Sequence, residues 1–260
     1  MLKTIKKITA FAMIGVMVFL LCSCSLSLSG IYEEEVIKRA SPIPHTKQEI
    51  FDYFCMAYNK ARNAKVKVDY EYSHSAGSPD CENSNIEDAF GTIAKLMTNN
   101  RGESVEYGND CTSLVPENKL ELKDIRSANI IDIDDPSYRS YTIVLTIWEE
   151  KNPTQDNSVF GKIYKLSPKE EILTEFKKGA SFITIEDYQS QYQVGQIRAT
   201  VLKETDEMSE VAFERTVRVS TEITGQGNLA SVGTVPLSFD YHATERYNFD
   251  WDAPKTTTKA

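Results

Sequence analysis

Few residues of this chain stand at spacings that could do chemistry, and each such set has a competing local explanation. Gly225-Gln226-Gly227-Asn228-Leu229-Ala230 has the glycine spacing of a dinucleotide fingerprint. That fingerprint works only where a helix follows the turn, so that its first amides meet the pyrophosphate. Here the residues that follow alternate as in a strand, so the glycines read as a hairpin turn. Asp132-Ile133-Asp134-Asp135 offers alternating carboxylates of the kind that hold calcium. It lacks the sharp-turn glycine and the distal bidentate glutamate, and Pro136 marks a turn between two strands instead. His45, His74 and His242 lie at no metal-ligand spacing from one another or from a cysteine. Ser73-His74-Ser75-Ala76-Gly77 sets serine beside histidine, but neighbours along a strand face opposite ways, and the stretch reads as a surface loop. There is no Cys-x-x-Cys, His-Glu-x-x-His or Gly-x-Ser-x-Gly. The expectation is a non-enzymatic chain with no catalytic residue, metal or cofactor.

Tyrosine is the one enrichment, at thirteen, with close pairs Tyr70/Tyr72, Tyr138/Tyr141 and Tyr188/Tyr192. Flat amphipathic rings on a sheet can bind sugars or peptides; more commonly they are cross-strand pairs that stabilise the sheet. Beyond the N-terminal segment three cysteines remain, Cys55, Cys81 and Cys111. Cys55 falls within an apolar helical pattern and reads as buried filler. Cys81 and Cys111 both fall in loop-like sequence and could form the single internal disulfide an odd count allows.

The elements that would position these residues can be read from periodicity and caps. Thr46 with Glu49 forms a capping box ahead of Ile50, Phe54, Ala57, Tyr58 and Ala61 on one helical face. Ser84 with Glu87 forms a second, ahead of Phe90, Ile93, Ala94 and Met97, with a stop at Asn99–Gly102. Ser167-Pro168-Lys169-Glu170 opens a third, with Ile172, Leu173 and Phe176 on its apolar face and Gly179 as its stop. The rest alternates as strands do. Val66, Val68, Tyr70 and Tyr72 share one side of 65–72; Tyr141, Ile143, Leu145 and Ile147 share another, as do Ile197, Ala199 and Val201. The longest pattern is a pair, Val211, Phe213, Val217, Val219 and Ile223, then Val235, Leu237, Phe239, Tyr241, Tyr247, Phe249 and Trp251, with Gly225–Asn228 between. A one-sided sheet must bury its apolar face on something, and the helices are the available cover. The expected fold is therefore α+β: a long, twisted antiparallel sheet with about three helices packed on one face, in a single domain over 45–252. A tether over 24–44 and a disordered tail over 253–260 flank it.

The N-terminus carries the locational signal. Lys3, Lys6 and Lys7 precede the uncharged run Ile8–Leu21, and Leu21-Cys22-Ser23-Cys24 follows. An aliphatic residue three places before, a small residue immediately before, and then a cysteine is a lipoprotein cleavage box. On these residues the segment resembles bacterial lipoproteins, with 1–23 as signal peptide and Cys24 as the acylated residue, palmitate being one such acyl chain. Cys22 is the poorer acceptor because Leu21 is too bulky to precede the cut. As a helix Ile8–Leu21 spans only ~21 Å against the ~30 Å of a bilayer core. The uncharged run continues to Tyr32, so an uncleaved anchor and plain secretion are the two alternatives. The leader holds three of the 29 basic residues and none of the 38 acidic ones, so the mature chain has a net charge of −12. That argues against nucleic acid as a partner and against adhesion to anionic lipid through charge, and the acidity reads first as a solubility feature.

From Leu114 to Trp251 the arrangement is a strand at Tyr141–Trp148, a turn at Asn152-Pro153, a capped helix at Ser167–Phe176, and a meander. The meander runs through Ile183–Val194, Gln196–Glu204, Val211–Ile223 and Val235–Tyr247. This arrangement is similar to a family of extracytoplasmic lipoproteins of unknown function from Gram-positive, gut-type Firmicutes. The resemblance implies a membrane partner through the lipid anchor and an extracytoplasmic ligand or protein as the second partner, and carries over no catalytic residue. Two further possibilities follow from the fold: a carrier holding a hydrophobic ligand between sheet and helices, and a cell-surface enzyme without a recognisable motif.

Overall fold

The computed structural model describes residues 39–252 apart from 98, 134–136, 167–168, 171–172 and 175–181, and describes the backbone alone at 89, 92–97 and 99–100. The signal segment, Cys24 and the tail over 253–260 lie outside the described residues. So does most of the third expected helix, of which Lys169, Glu170, Leu173 and Thr174 are helical.

Helix α1, Lys47–Arg62, begins where its capping box places it: the Glu49 amide donates to the Thr46 hydroxyl at 3.2 Å, and the Thr46 amide donates to the Glu49 carboxylate at 3.0 Å. Ile50, Phe54, Ala57, Tyr58 and Ala61 are buried along one face, together with Phe51 and Tyr53. Strand β1, Lys67–Ala76, follows, then helix α2, Ser84–Met97, and strand β2, Asn99–Val105. The cap of α2 is Asn83 rather than Ser84, its side-chain oxygen accepting from the amides of Asn85 and Ile86 at 3.1 and 3.3 Å. Strands β3, Ile125–Asp132, β4, Ser140–Ile147, and β5, Glu150–Lys151, lead into the short helix α3, Val159–Ile163. Three long strands complete the chain: β6, Ile183–Leu202, β7, Met208–Gly225, and β8, Thr234–Asp250.

The strands form one open antiparallel sheet in the order β2-β1-β8-β7-β6-β4-β3, with β5 on β6. The fold is thus α+β, mostly sheet. Two local expectations are corrected. The stretches 183–194 and 196–204 are not two strands but the single strand β6, which bends through a bulge between Tyr192 and Val194. The turn between β7 and β8 is not tight: after the rung Thr224↔Thr234 the chain makes a 3-10 helix over Gly227–Val232.

One face of the long strands is apolar, with Val211, Phe213, Val217 and Ile223 buried on β7 and Leu237, Phe239 and Tyr247 buried on β8. Two clusters form there. The larger joins α1 to β1, β4, β6 and the first half of β7, with the Tyr58 and Phe213 rings edge-on at 6.2 Å. The smaller joins Ile86 and Phe90 of α2 to Ile183, Ile185, Ile223, Leu237 and Phe239 at the other end of the strands, the Phe90 and Phe239 rings lying 4.6 Å apart. The tether expected over 24–44 ends sooner than its composition implies. Pro44 is buried, Ile43 packs on the larger cluster, and Ala40 donates its amide to the Lys203 carbonyl at 2.8 Å.

Candidate functional site

Between the two clusters the apolar stripe is interrupted. The inward positions of β7 run Val211, Phe213, Arg215, Val217, and opposite them on β8 stand Tyr247, Glu245, Ala243, Tyr241. β1 sets Tyr72 against Glu245 and His74 against Ala243, and β6 sets Gly195 against Arg215. One rung of the sheet therefore reads His74, Ala243, Arg215, Gly195, and a charged side chain stands where the pattern calls for an aliphatic one.

The polar groups in this seam satisfy one another almost completely. Arg215 Nη1 lies 2.9 Å from Glu245 Oε1, with only 9% and 17% of the two side chains exposed. The guanidinium sits 4.1 Å from the centroid of the Tyr164 ring, whose hydroxyl donates to the Glu214 carbonyl at 3.0 Å. Burial pulls the Arg215 pKa down, and the charge of Glu245 together with Tyr164 more than restores it. Beside this pair the Tyr241 hydroxyl lies 2.5 Å from His74 Nδ1 and 3.2 Å from the Tyr72 hydroxyl. Burial first, and the positive charge of Arg215 second, hold His74 below the usual histidine range, so its ring is neutral near pH 7. Burial and the bond to Tyr72 push Tyr241 up. With Tyr241 donating to Nδ1, the ring proton sits on Nε2, which is buried and has no partner among the described residues.

Local sequence explains how the seam is held. Glu150 of β5 accepts from the amides of Val159 and Phe160 at 2.9 and 3.0 Å, capping α3. That cap seats the Phe160 ring 4.6 Å from Tyr192 and carries Tyr164 over Arg215. Gly195 is required beneath it: a Cβ there would stand 2.3 Å from Ile147 Cδ1 and 2.8 Å from Phe160 Cζ.

The arrangement does not assemble an acyl-transfer centre among the described residues. The hydrogen-bond partners of His74 are two tyrosines rather than a serine or cysteine nucleophile, and Glu245 is engaged by Arg215. No three His, Cys, Asp or Glu side chains converge as metal ligands among the described residues. No family model, curated protein or solved structure matches this chain.

Of the residues singled out by sequence, Tyr72 and His74 fall in the seam; the following fall elsewhere. Gly227, at φ +57°, starts a six-residue 3-10 helix that gives way to β8, so no α-helix follows to receive a pyrophosphate. Asp132 ends β3 with its carboxylate held by Lys203 Nζ at 2.7 Å and Arg39 Nη1 at 3.0 Å; Asp134 and Asp135 lie outside the described residues. Cys81 and Cys111 do not pair: both thiols are free, Cys111 buried in the larger cluster and Cys81 against the smaller. Cys55 is half-buried, and burial pushes its thiol up to about 11. His242 is on the opposite face, 3.1 Å from the Thr216 hydroxyl. His74, whose sequence reads as a surface loop, is in β1, inside the seam, because the alternation of β1 continues two residues past Tyr72. Arg215 and Glu245 carry no motif, and their only signal is the gap they leave in the alternation. Away from the seam a recess lined by Phe54, Tyr58, Pro116, Leu120 and Phe213 holds a cavity of about 10 Å³, room for about one water.

Proposed function

We propose that this chain is a lipid-anchored extracytoplasmic protein, acylated at Cys24 and related to the Gram-positive lipoproteins it resembles, whose domain is a non-catalytic binding module. In this reading the helices cover a single face of the sheet, and the seam between the two clusters is the recognition site. One observation carries it: the buried Arg215–Glu245 pair and the orphaned Nε2 of His74 interrupt an otherwise apolar stripe. A core selected for stability alone gains nothing there. A buried ion pair is at best neutral against aliphatic residues of the same volume, and an unpartnered buried donor costs ~1–3 kcal/mol. Local rules broken at a net cost are the mark of a functional site. The ligand this chemistry suits is polar and flat, with acceptor groups for His74 and hydroxyl or ring surface for Tyr72 and Tyr241. A carrier for a hydrophobic ligand would need a cavity lined by Phe213, Val219, Phe239 and Tyr241. Instead Phe213 packs edge-on against Tyr58 and Tyr247, and Phe239 against Phe90.

Native mass spectrometry of the full chain purified from its host tests the site. A retained polar adduct that disappears in His74→Ala, with the fold intact by circular dichroism, supports it; an adduct indifferent to His74→Ala and Tyr241→Phe removes it. The anchor has its own test. Cys24→Ala should abolish labelling by a fatty-acid probe; if only Cys22→Ala does so, the acceptor is the other cysteine, and if neither does, the chain is not a lipoprotein.

A further inference from the structure

The described chain enters the domain at one corner of the sheet, and it is fixed there. Arg39 Nη1 lies 3.0 Å from Asp132 Oδ2 and donates to the Tyr141 hydroxyl at 2.5 Å. The Ser41 hydroxyl donates to Asp206 at 2.5 Å, in the turn between β6 and β7. Lys203, fully buried in the same turn, holds the other oxygen of Asp132 at 2.7 Å. Asp132 is flanked by exposed apolar side chains. Six large hydrophobic residues are exposed among the described ones, and three of them, Ile131, Ile133 and Tyr138 at 49%, 43% and 50%, belong to this corner.

We propose that this corner rests on the membrane, with Ile131, Ile133 and Tyr138 against the lipid interface; the inference depends on the anchoring of Cys24 proposed above. Fourteen residues separate Cys24 from Arg39. Whatever its conformation, a segment of that length reaches at most ~50 Å. β7, 18 residues long, runs ~60 Å from the corner to the 3-10 turn over Gly227–Val232. The anchor therefore confines the corner near the lipid and leaves that turn free to stand away from it. Tyrosine is at home at the membrane–water boundary, where its ring is apolar and its hydroxyl wet. The net charge of −12 makes the contact apolar rather than electrostatic, so the surface that fits is a zwitterionic bilayer interface.

The test uses the full, lipidated chain in phosphatidylcholine vesicles. A fluorophore is placed by Tyr138→Cys or Asn228→Cys in a background carrying Cys55→Ala and Cys81→Ala. Quenching by spin-labelled lipid should be several-fold stronger at 138 than at 228. Adding Ile131→Ser and Ile133→Ser should reduce quenching at 138 while the protein still floats with the vesicles. Equal quenching at both sites, or quenching at 138 indifferent to the serine variants, overturns the membrane-facing corner and leaves the anchor standing. Failure of the parent chain to float overturns the anchor, and the corner with it.

Discussion

Dismantling the Arg215–Glu245 pair one partner at a time, and then together, separates a desolvated seam from a solvated one. Both side chains are largely removed from water, at 9% and 17% exposure. Deleting one partner of such a pair leaves the other charge uncompensated and costs ~3–5 kcal/mol. Glu245→Leu should fall at the lower end, because Arg215 keeps its contact with the Tyr164 ring, which is worth up to about 2 kcal/mol when desolvated. Arg215→Met should fall at the upper end, since it strands the Glu245 carboxylate and removes that contact as well. Arg215→Met combined with Glu245→Leu restores an aliphatic stripe and should lie within about 1 kcal/mol of the parent, or above it. The three variants therefore depart from additivity by several kcal/mol. Urea melts read this directly: with a slope of ~3 kcal/mol per molar, each single change lowers the midpoint by about 1–1.7 M at constant slope. Single changes that each cost less than about 1 kcal/mol and simply add would refute the argument, because they would mean that water already screens the pair. The double variant then serves a second purpose. It should fold like the parent and lose the retained ligand, and a stable double variant that keeps the ligand assigns the pair to packing alone.

Three other outcomes follow from the same geometry. His74 resists protonation in the folded state while an unfolded histidine takes a proton near its ordinary pKa, so the unfolded state binds more protons and stability falls as pH drops from 7 through the histidine range. That increment, measured as the difference between parent and His74→Gln melts from pH 7 to 5, should vanish in the variant; parallel curves would mean His74 is solvated. Phe239→Ala, at a side chain 7% exposed against Phe90, should cost ~3–5 kcal/mol, whereas Glu214→Ala on the opposite face should stay within about 0.5 kcal/mol. Similar melting of these two variants would remove Phe239 from the core. Gly195→Ala should cost ~1–3 kcal/mol, because the new methyl must displace Ile147 or lift Phe160 off the sheet; a neutral result would show that α3 is not seated as described.

What was legible in the sequence was whatever repeats over several residues. The apolar face of α1 and the alternation of β4, β7 and β8 each rest on four or more concordant positions, and the strands' buried faces follow their parity. β2 escaped because Asn99–Val105 is polar and lies at a sheet edge, where burial imposes no alternation. α3 escaped because five residues are shorter than two helical turns, and its start is fixed by Glu150, nine residues before its bounds begin. The seam was illegible for a different reason. Apolar parity identifies a face by the residues that obey it, so Arg215, Ala243 and Glu245 do not register in it. Yet a lapse on one strand set across from a lapse of complementary charge on its neighbour is itself a pattern. Given the register Phe213↔Glu245 and Arg215↔Ala243, the two charges must lie on the same buried face one step apart. Position 74 follows by the same step, two residues beyond Tyr72. In a one-sided sheet the inward positions that refuse to be apolar are thus the places to look for binding chemistry. Register, which sequence parity fixes only to within a shift of two residues, is what brings them together.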